Sequence, residues 1–189
     1  FEKYKNNELK DNELCITFDD AIKCQIDVAL PVLEEQKIKG FFFVYTSMFE
    51  GKPDNLEVFR YFRMNYFDNV NLFYNSFYKF LDKDLKSFFK EINNEIKLFL
   101  EKFPHCSIED AQFRLVRDIF LSKNQYEQTM FLMMEEKKFH YKNFYPKLFF
   151  DQEDLKKLDN LGHLVGLHSH NHPTLIEKLT YDEQKNEYE

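Results

Sequence analysis

Two short segments near opposite ends of the chain hold the residues best suited to chemistry. Thr17-Phe18-Asp19-Asp20 ends an apolar run near the N-terminus, and His168-Ser169-His170-Asn171-His172-Pro173 follows another near the C-terminus. In parallel α/β folds, functional side chains collect at the C-terminal ends of strands. Adjacent residues there point in different directions. One aspartate can therefore bind a metal while the other accepts a proton from water that the metal activates. His168 and His172, four apart, can converge on one cation where the turn between them is tight or helical. Imidazole nitrogen with carboxylate oxygen suits zinc or a similar divalent ion, and three protein ligands leave a position open for water. The plainer alternatives are a solvated turn and helix cap for the aspartates, and exposed loop side chains for the histidines. His170 is expected to face solvent, and His105, His140 and His163 to be structural or exposed.

The elements that must position these groups follow from hydrophobic spacing. Leu14-Cys15-Ile16-Thr17-Phe18 reads as a buried strand. From Ile22 the apolar residues Ile26, Ala29, Leu30 and Leu33 share one helical face. Pro31 should split or kink that helix near Ala29–Leu30, and Gly40 should stop it. Phe41-Phe42-Phe43-Val44-Tyr45 reads as a second buried strand, which makes a right-handed parallel crossover. Asp151 to Asp154 opens a helix that Gly162 ends. His163 to Leu167 reads as a strand, with Val165 and Leu167 toward one face. Thr180-Tyr181-Asp182-Glu183 is a capping box for a further helix.

The stretch between is different. Leu81, Leu85, Phe88, Ile92, Ile96, Phe99 and Phe103 recur at helical spacing up to Pro104, Ser107 can cap a helix, and Gln125 to Phe139 reads as another. No alternating strand pattern appears there. The expected organisation is an α/β portion at 1–50, a mainly helical insertion at 51–148 with Gly51-Lys52-Pro53-Asp54 as a turn-like boundary, and the α/β portion resumed at 149–189. Within the insertion, Phe59-Arg60-Tyr61-Phe62-Arg63 interleaves aromatic and basic residues. Such a strip can stack on sugar rings or meet an anionic group, or it can be ordinary packing at helical spacing. The block suits a lid over the metal mouth or an oligomer contact.

Composition narrows the partners. The chain has 189 residues, 43% hydrophobic and 31% charged, with a net charge of −7. That fits a globular domain with a real core and argues against a nucleic-acid partner. The 23 Phe residues carry little functional weight. Cys15, Cys24 and Cys106 form neither a disulfide framework nor a cysteine zinc site; they read as buried or partly buried free thiols. No run reaches the ~20 apolar residues of a membrane span. With no leader visible and no paired cysteines, the expected location is the cytoplasm.

Taken jointly, Thr17-Phe18-Asp19-Asp20 and His168-Ser169-x-x-His172-Pro173 resemble the first two motifs of the polysaccharide deacetylases, the NodB-homology domains of carbohydrate esterase family 4. Leu30-Pro31-Val32-Leu33 with Gly40-Phe41-Phe42-Phe43-Val44 resembles the family's helix and second strand. Asp154-Leu155, Gly162-His163 and Gly166-Leu167-His168 resemble its approach to the histidine motif. The resemblance implies an incomplete, distorted (β/α) barrel with the helical insertion. It assigns Asp19 as general base, Asp20, His168 and His172 as ligands of a divalent metal such as zinc, and Ser169 and Pro173 as supports of the loop. The implied reaction is hydrolysis of an N-acyl group, usually acetyl, from an amino sugar or saccharide, with formyl as another acyl group. The alternative is a catalytically inactive carbohydrate- or partner-binding relic. Ala21 stands where the family usually has Gly. The family's later motifs, an Arg segment, an Asp-Trp segment and a Leu-x-His, find no place in the 17 residues after His172. The expectation is that more protein follows Glu189 or that the enzyme is fragmentary.

Overall fold

The computed structural model describes residues 2–81, 86–173 and 175–189. These divide into two compact units, one running up to Asp54 and resuming at Tyr145–Glu189, the other Asn55–Phe144.

The first unit begins with the short helix α1 (Glu2–Lys5) and the strand β1 (Thr17–Phe18). A π-helical turn, Gln25–Ala29, passes directly into α2 (Leu30–Glu35), with Pro31 in the first turn of α2. The helical backbone is continuous through this point, and the wider π turn just before Pro31 accommodates a residue that lacks an N–H, so the winding changes at Leu30 without breaking the helix. The strand β2 (Phe41–Val44) follows.

The second unit is helical among its described residues: α3 (Asn55–Asn65), α4 (Val70–Leu81), α5 (Lys86–Glu91), α6 (Asn93–Lys102), α7 (Ile108–Leu115) and α8 (Lys123–Glu136). Ser107 caps α7 by accepting the Asp110 N–H, and Ser122 with Gln125 forms a capping box at α8. Its core is aromatic and thioether-rich, with Phe62, Phe73, Phe77, Phe113, Met130 and Met133 fully buried. The single helix expected from Leu81 to Phe103 is not observed as one: Leu81 is the last residue of α4, and from Lys86 onward the stretch forms α5 and α6, parted at Ile92. Leu85, part of that spacing, lies outside the described residues.

The first unit then resumes with α9 (Tyr145–Leu148), α10 (Gln152–Asn160), β3 (Leu164–Leu167) and α11 (Tyr181–Asn186). Asp151 with Asp154 and Thr180 with Glu183 form capping boxes at α10 and α11. The three strands make one parallel sheet in the order β1-β2-β3, with Phe18 opposite Phe42 and Val44 opposite Leu167. All three strands therefore end at the same edge. Phe42 is fully buried at the sheet's centre, its ring stacked on Phe18 at 4.7 Å and edge-on to His163 at 5.4 Å. Gly166 lies so close to β2 that a Cβ there would stand 2.6 Å from the Phe43 ring.

Several sequence expectations are corrected here. Pairing in β1 is confined to Thr17 and Phe18, and Leu14 is 96% exposed, so the apolar run before the motif is not a buried strand. Val165 and Leu167 in β3 are also exposed. Gly40 does not stop the helix: α2 ends at Glu35 and the chain turns at Lys37, which has φ +56°. Gly40 instead donates its N–H to Nδ1 of buried His163, whose Nε2 faces Glu34 at 3.0 Å. That histidine ties helix, strand and crossover together. Cys15 and Cys24 are exposed rather than buried, and Cys106 is half-buried. Among the described residues, no helix is long and apolar enough to cross a membrane.

Candidate metal centre

The common sheet edge delivers the motif residues. Asp19 and Asp20 leave β1, Tyr45 leaves β2 and His168 leaves β3. His168 is held in strand register by its N–H on the Val44 carbonyl at 2.8 Å. Beyond that point the backbone turns sharply. Asp20, Ala21, Ser169 and His172 have φ of +70°, +51°, +67° and +55°. Of the seven non-glycine residues with positive φ among those described, four stand here. Each such L residue costs about 1–2 kcal/mol. Strain of this kind persists only where surrounding contacts over-determine it, and it gathers at functional sites. The left-handed conformation at Ala21 also gives a physical reason for glycine to be usual at that motif position.

The turns bring Asp20, His168 and His172 together, with one ligand atom of each within 4.8 Å of the others. Asp20 Oδ1 lies 3.4 Å from Nε2 of His168 and 3.0 Å from Nε2 of His172. Tetrahedral zinc with bonds of about 2.0–2.1 Å separates its ligand atoms by about 3.3 Å. The two separations from Asp20 are close to that value, and the third lies within 4.8 Å, so the three donors can converge on one small divalent cation. The His168 side chain is 44% exposed against 15% for His172, so the cluster opens on the His168 side. Asp19 is exposed on the same loop, outside the three-residue cluster, with its carbonyl accepting from Gln25.

Further residues shape this cluster, and the sequence reading did not single them out. Asp54 Oδ2 is 3.1 Å from Nδ1 of His172, so the imidazole is flanked by a carboxylate on each nitrogen. The Asp20 and then the Asp54 hydrogen bonds favour the charged ring, and against burial they push the His172 pKa up to about 10. A cation binding at Nε2 competes with that proton, and Asp54 then fixes the Nδ1–H tautomer. Tyr45 serves both partners: its ring stacks on His172 at 5.1 Å and its hydroxyl accepts the Asp54 N–H at 3.0 Å.

Glu187, just past α11, clamps the loop between the histidines. Its Oε2 accepts the N–H groups of His170 and Asn171, and its Oε1 accepts the Asn171 amide. Burial pushes this carboxyl up, but the donors from Asn171 and His170 outweigh burial and hold it below its ordinary value. Ser169 Oγ accepts the His172 N–H at 3.2 Å, and Pro173 follows directly. His170 does not face solvent as expected; it is half-buried, with Nδ1 2.7 Å from Thr46 Oγ1. Only the Asp54 signal was available in the sequence, as an acidic residue ending a Gly-Lys-Pro turn after β2. Nothing local marked Tyr45 or Glu187.

In this parallel α/β unit a carboxylate and two imidazoles converge beyond the strand ends, a donor set of the kind that suits a divalent cation. The family model described as polysaccharide deacetylase matches residues 6–84, so this segment is similar to that family. The match contains Asp19, Asp20 and Asp54; the histidine motif lies beyond it. No curated protein and no solved structure matches the chain.

Proposed function

We propose that the first unit is a metal-dependent hydrolase that removes an N-acyl group, acetyl foremost, from an amino sugar or saccharide, with zinc as the metal. The observation that carries this reading is the convergence of Asp20 Oδ1 with Nε2 of His168 and of His172. On this reading β1, β2 and β3 are strands of a distorted deacetylase barrel, and the helical unit is an insertion between its two motifs.

A divalent cation held there supplies Lewis-acid polarisation of the amide carbonyl and of the attacking water. Asp20, His168 and His172 fix its position and leave the exposed side for substrate. Asp54 orients His172 by accepting its Nδ1–H, which aims the Nε2 lone pair at the cluster. Tyr45 fixes the plane of that ring and the backbone of Asp54. Asp19 is the general base: its carboxylate takes the proton as water adds to the carbonyl and hands it to the departing nitrogen as the C–N bond breaks. The products are an amine and a carboxylic acid that ionises to the carboxylate. Glu187 and Ser169 keep the histidine loop from relaxing.

The test is metal content and acid release measured together. Wild-type protein loaded with zinc is expected to bind about one equivalent and to release acetate from N-acetylated amino sugars. Asp20→Ala and His172→Ala are each expected to weaken zinc binding by about 1,000-fold, read by competition with a chromophoric chelator. Asp19→Asn should keep the metal and lose acid release. Unchanged zinc affinity in both ligand variants would remove the assignment. Wild-type zinc binding with no acid released from any saccharide would leave the unit as a binding relic.

A further inference from the structure

The chain has twenty-two lysines and only four arginines, Arg60, Arg63, Arg114 and Arg117. All four line one cavity of about 70 Å³ in the helical unit. Arg60 and Arg63 lie three residues apart, on one face of α3. Arg114 is in α7, and Arg117 is in the π-helical turn Val116–Phe120 that continues it. Buried rings of Phe59, Phe73 and Phe113 form the apolar wall, and no carboxylate among the described residues lines the space.

Carboxylates hold three of these arginines from outside the cavity. Arg60 pairs with Glu57 at 2.5 Å, Arg114 Nε with Asp110 at 2.9 Å, and Arg117 with both oxygens of Asp118 at 2.6 and 2.8 Å. These contacts occupy one or two of the five donors on each guanidinium and leave the others for a ligand. Among the described residues Arg63 has no such carboxylate. Its guanidinium carbon lies 6.0 Å from the Phe73 ring and 5.8 Å from the Phe113 ring, and its buried Nε–H finds no acceptor among the described residues. A buried donor without an acceptor is costly unless a ligand completes it.

Ordinary surface ion pairs are served by lysine, which this chain uses everywhere else. What distinguishes arginine is a permanent charge on a planar fork that pairs with two oxygens at once. Two forks saturate the two oxygens of a carboxylate, whereas four call for the three or four oxygens of a phosphate-type group. Size agrees. The space exceeds the ~15 Å³ that one water requires and falls well short of the ~300 Å³ of a pocket for a whole small organic ligand.

We propose that this cavity is a binding site for a phosphate-type tetrahedral oxyanion, either free or as the head of a monoester. Arg63 is its central donor, and exposed Arg60 stands at its rim.

The test is calorimetric titration of the full chain at 0.15 M sodium chloride with inorganic phosphate, methyl phosphate and acetate in turn. Saturable 1:1 phosphate binding is expected, with acetate at least about 10-fold weaker. Methyl phosphate matching inorganic phosphate identifies an esterified group as the natural ligand; inorganic phosphate alone identifies the free ion. Arg63→Gln and Arg63→Lys should each weaken phosphate by about 10- to 100-fold, the lysine variant because charge without the fork is insufficient. Circular dichroism checks that both remain folded. Should either unfold, the wild type still decides the matter. Every arginine lines this cavity, so protection from phenylglyoxal by phosphate reports on the site alone. Acetate binding as tightly as phosphate, an Arg63→Lys affinity equal to wild type, or no protection would each overturn the proposal.

Discussion

The two units position charged groups by opposite means. Around Asp20, His168 and His172, order comes from loops: four left-handed residues, held by side chains from three different parts of the chain. Around the four arginines it comes from helix periodicity on an aromatic core, with Arg60 and Arg63 in one helix and Arg114 and Arg117 in another helical segment. A loop-built centre concentrates its specificity in second-layer hydrogen bonds, where one lost acceptor matters. A helix-built one depends on packing volume, where one lost ring matters. Different substitutions should therefore damage each.

The largest effect belongs to the helical unit. Phe113 is 1% exposed and meets Phe73 at 5.2 Å and Phe77 at 5.1 Å. Phe113→Ala should cost about 3–5 kcal/mol by urea unfolding; a loss below ~1 kcal/mol would mean the unit is not held by this cluster. Next comes the clamp on the histidine loop. Glu187→Gln removes a charged acceptor from two backbone N–H groups and should cost about 1.5–3 kcal/mol. The Glu187 carboxyl is held below its ordinary value in the folded state. The stability it contributes is therefore present above the carboxyl pKa of the unfolded chain and is lost as pH falls through the lower folded value. Unfolding measured between pH 7 and pH 3 should show that step in the wild type and a smaller one in Glu187→Gln.

Asp54→Ala should weaken zinc binding by about 10- to 100-fold, with Asp54→Asn between it and wild type, since an amide oxygen can still accept the His172 Nδ1–H. Equal affinity in all three proteins would reduce Asp54 to a turn residue. The smallest change is expected at Ala21. Ala21→Gly relieves left-handed strain of about 1–2 kcal/mol but loses a buried methyl and orders a freer backbone, so stability should move by less than about 1 kcal/mol. Ala21→Val, β-branched at the same φ, should be clearly worse on the same thermal melt.

Much of the local structure is written in residue order. Ser107, Asp151 and Thr180 cap the helices their side chains foretell, because a cap needs only four consecutive residues. Apolar spacing marks Phe41–Val44 as a strand and the central stretch as helical. It overreaches at Leu14, where the apolar run extends before the two residues that pair with β2 and lies exposed, and at Ile92, where a continuous pattern does not keep one helix intact. Asp20, His168 and His172 could be nominated from side-chain chemistry, since few residue types offer oxygen or nitrogen to a cation.

What the sequence by itself determined is thus the donor types, the caps and most of the elements, all properties of residues within a few positions of one another. The tertiary structure alone decided that Asp54 and Tyr45 flank His172, that Glu187 holds the loop, and that arginines more than fifty positions apart face one cavity. Those are contacts between segments that a helix or strand repeat does not relate. They exist only once parallel strands end at one edge and helices pack around shared rings.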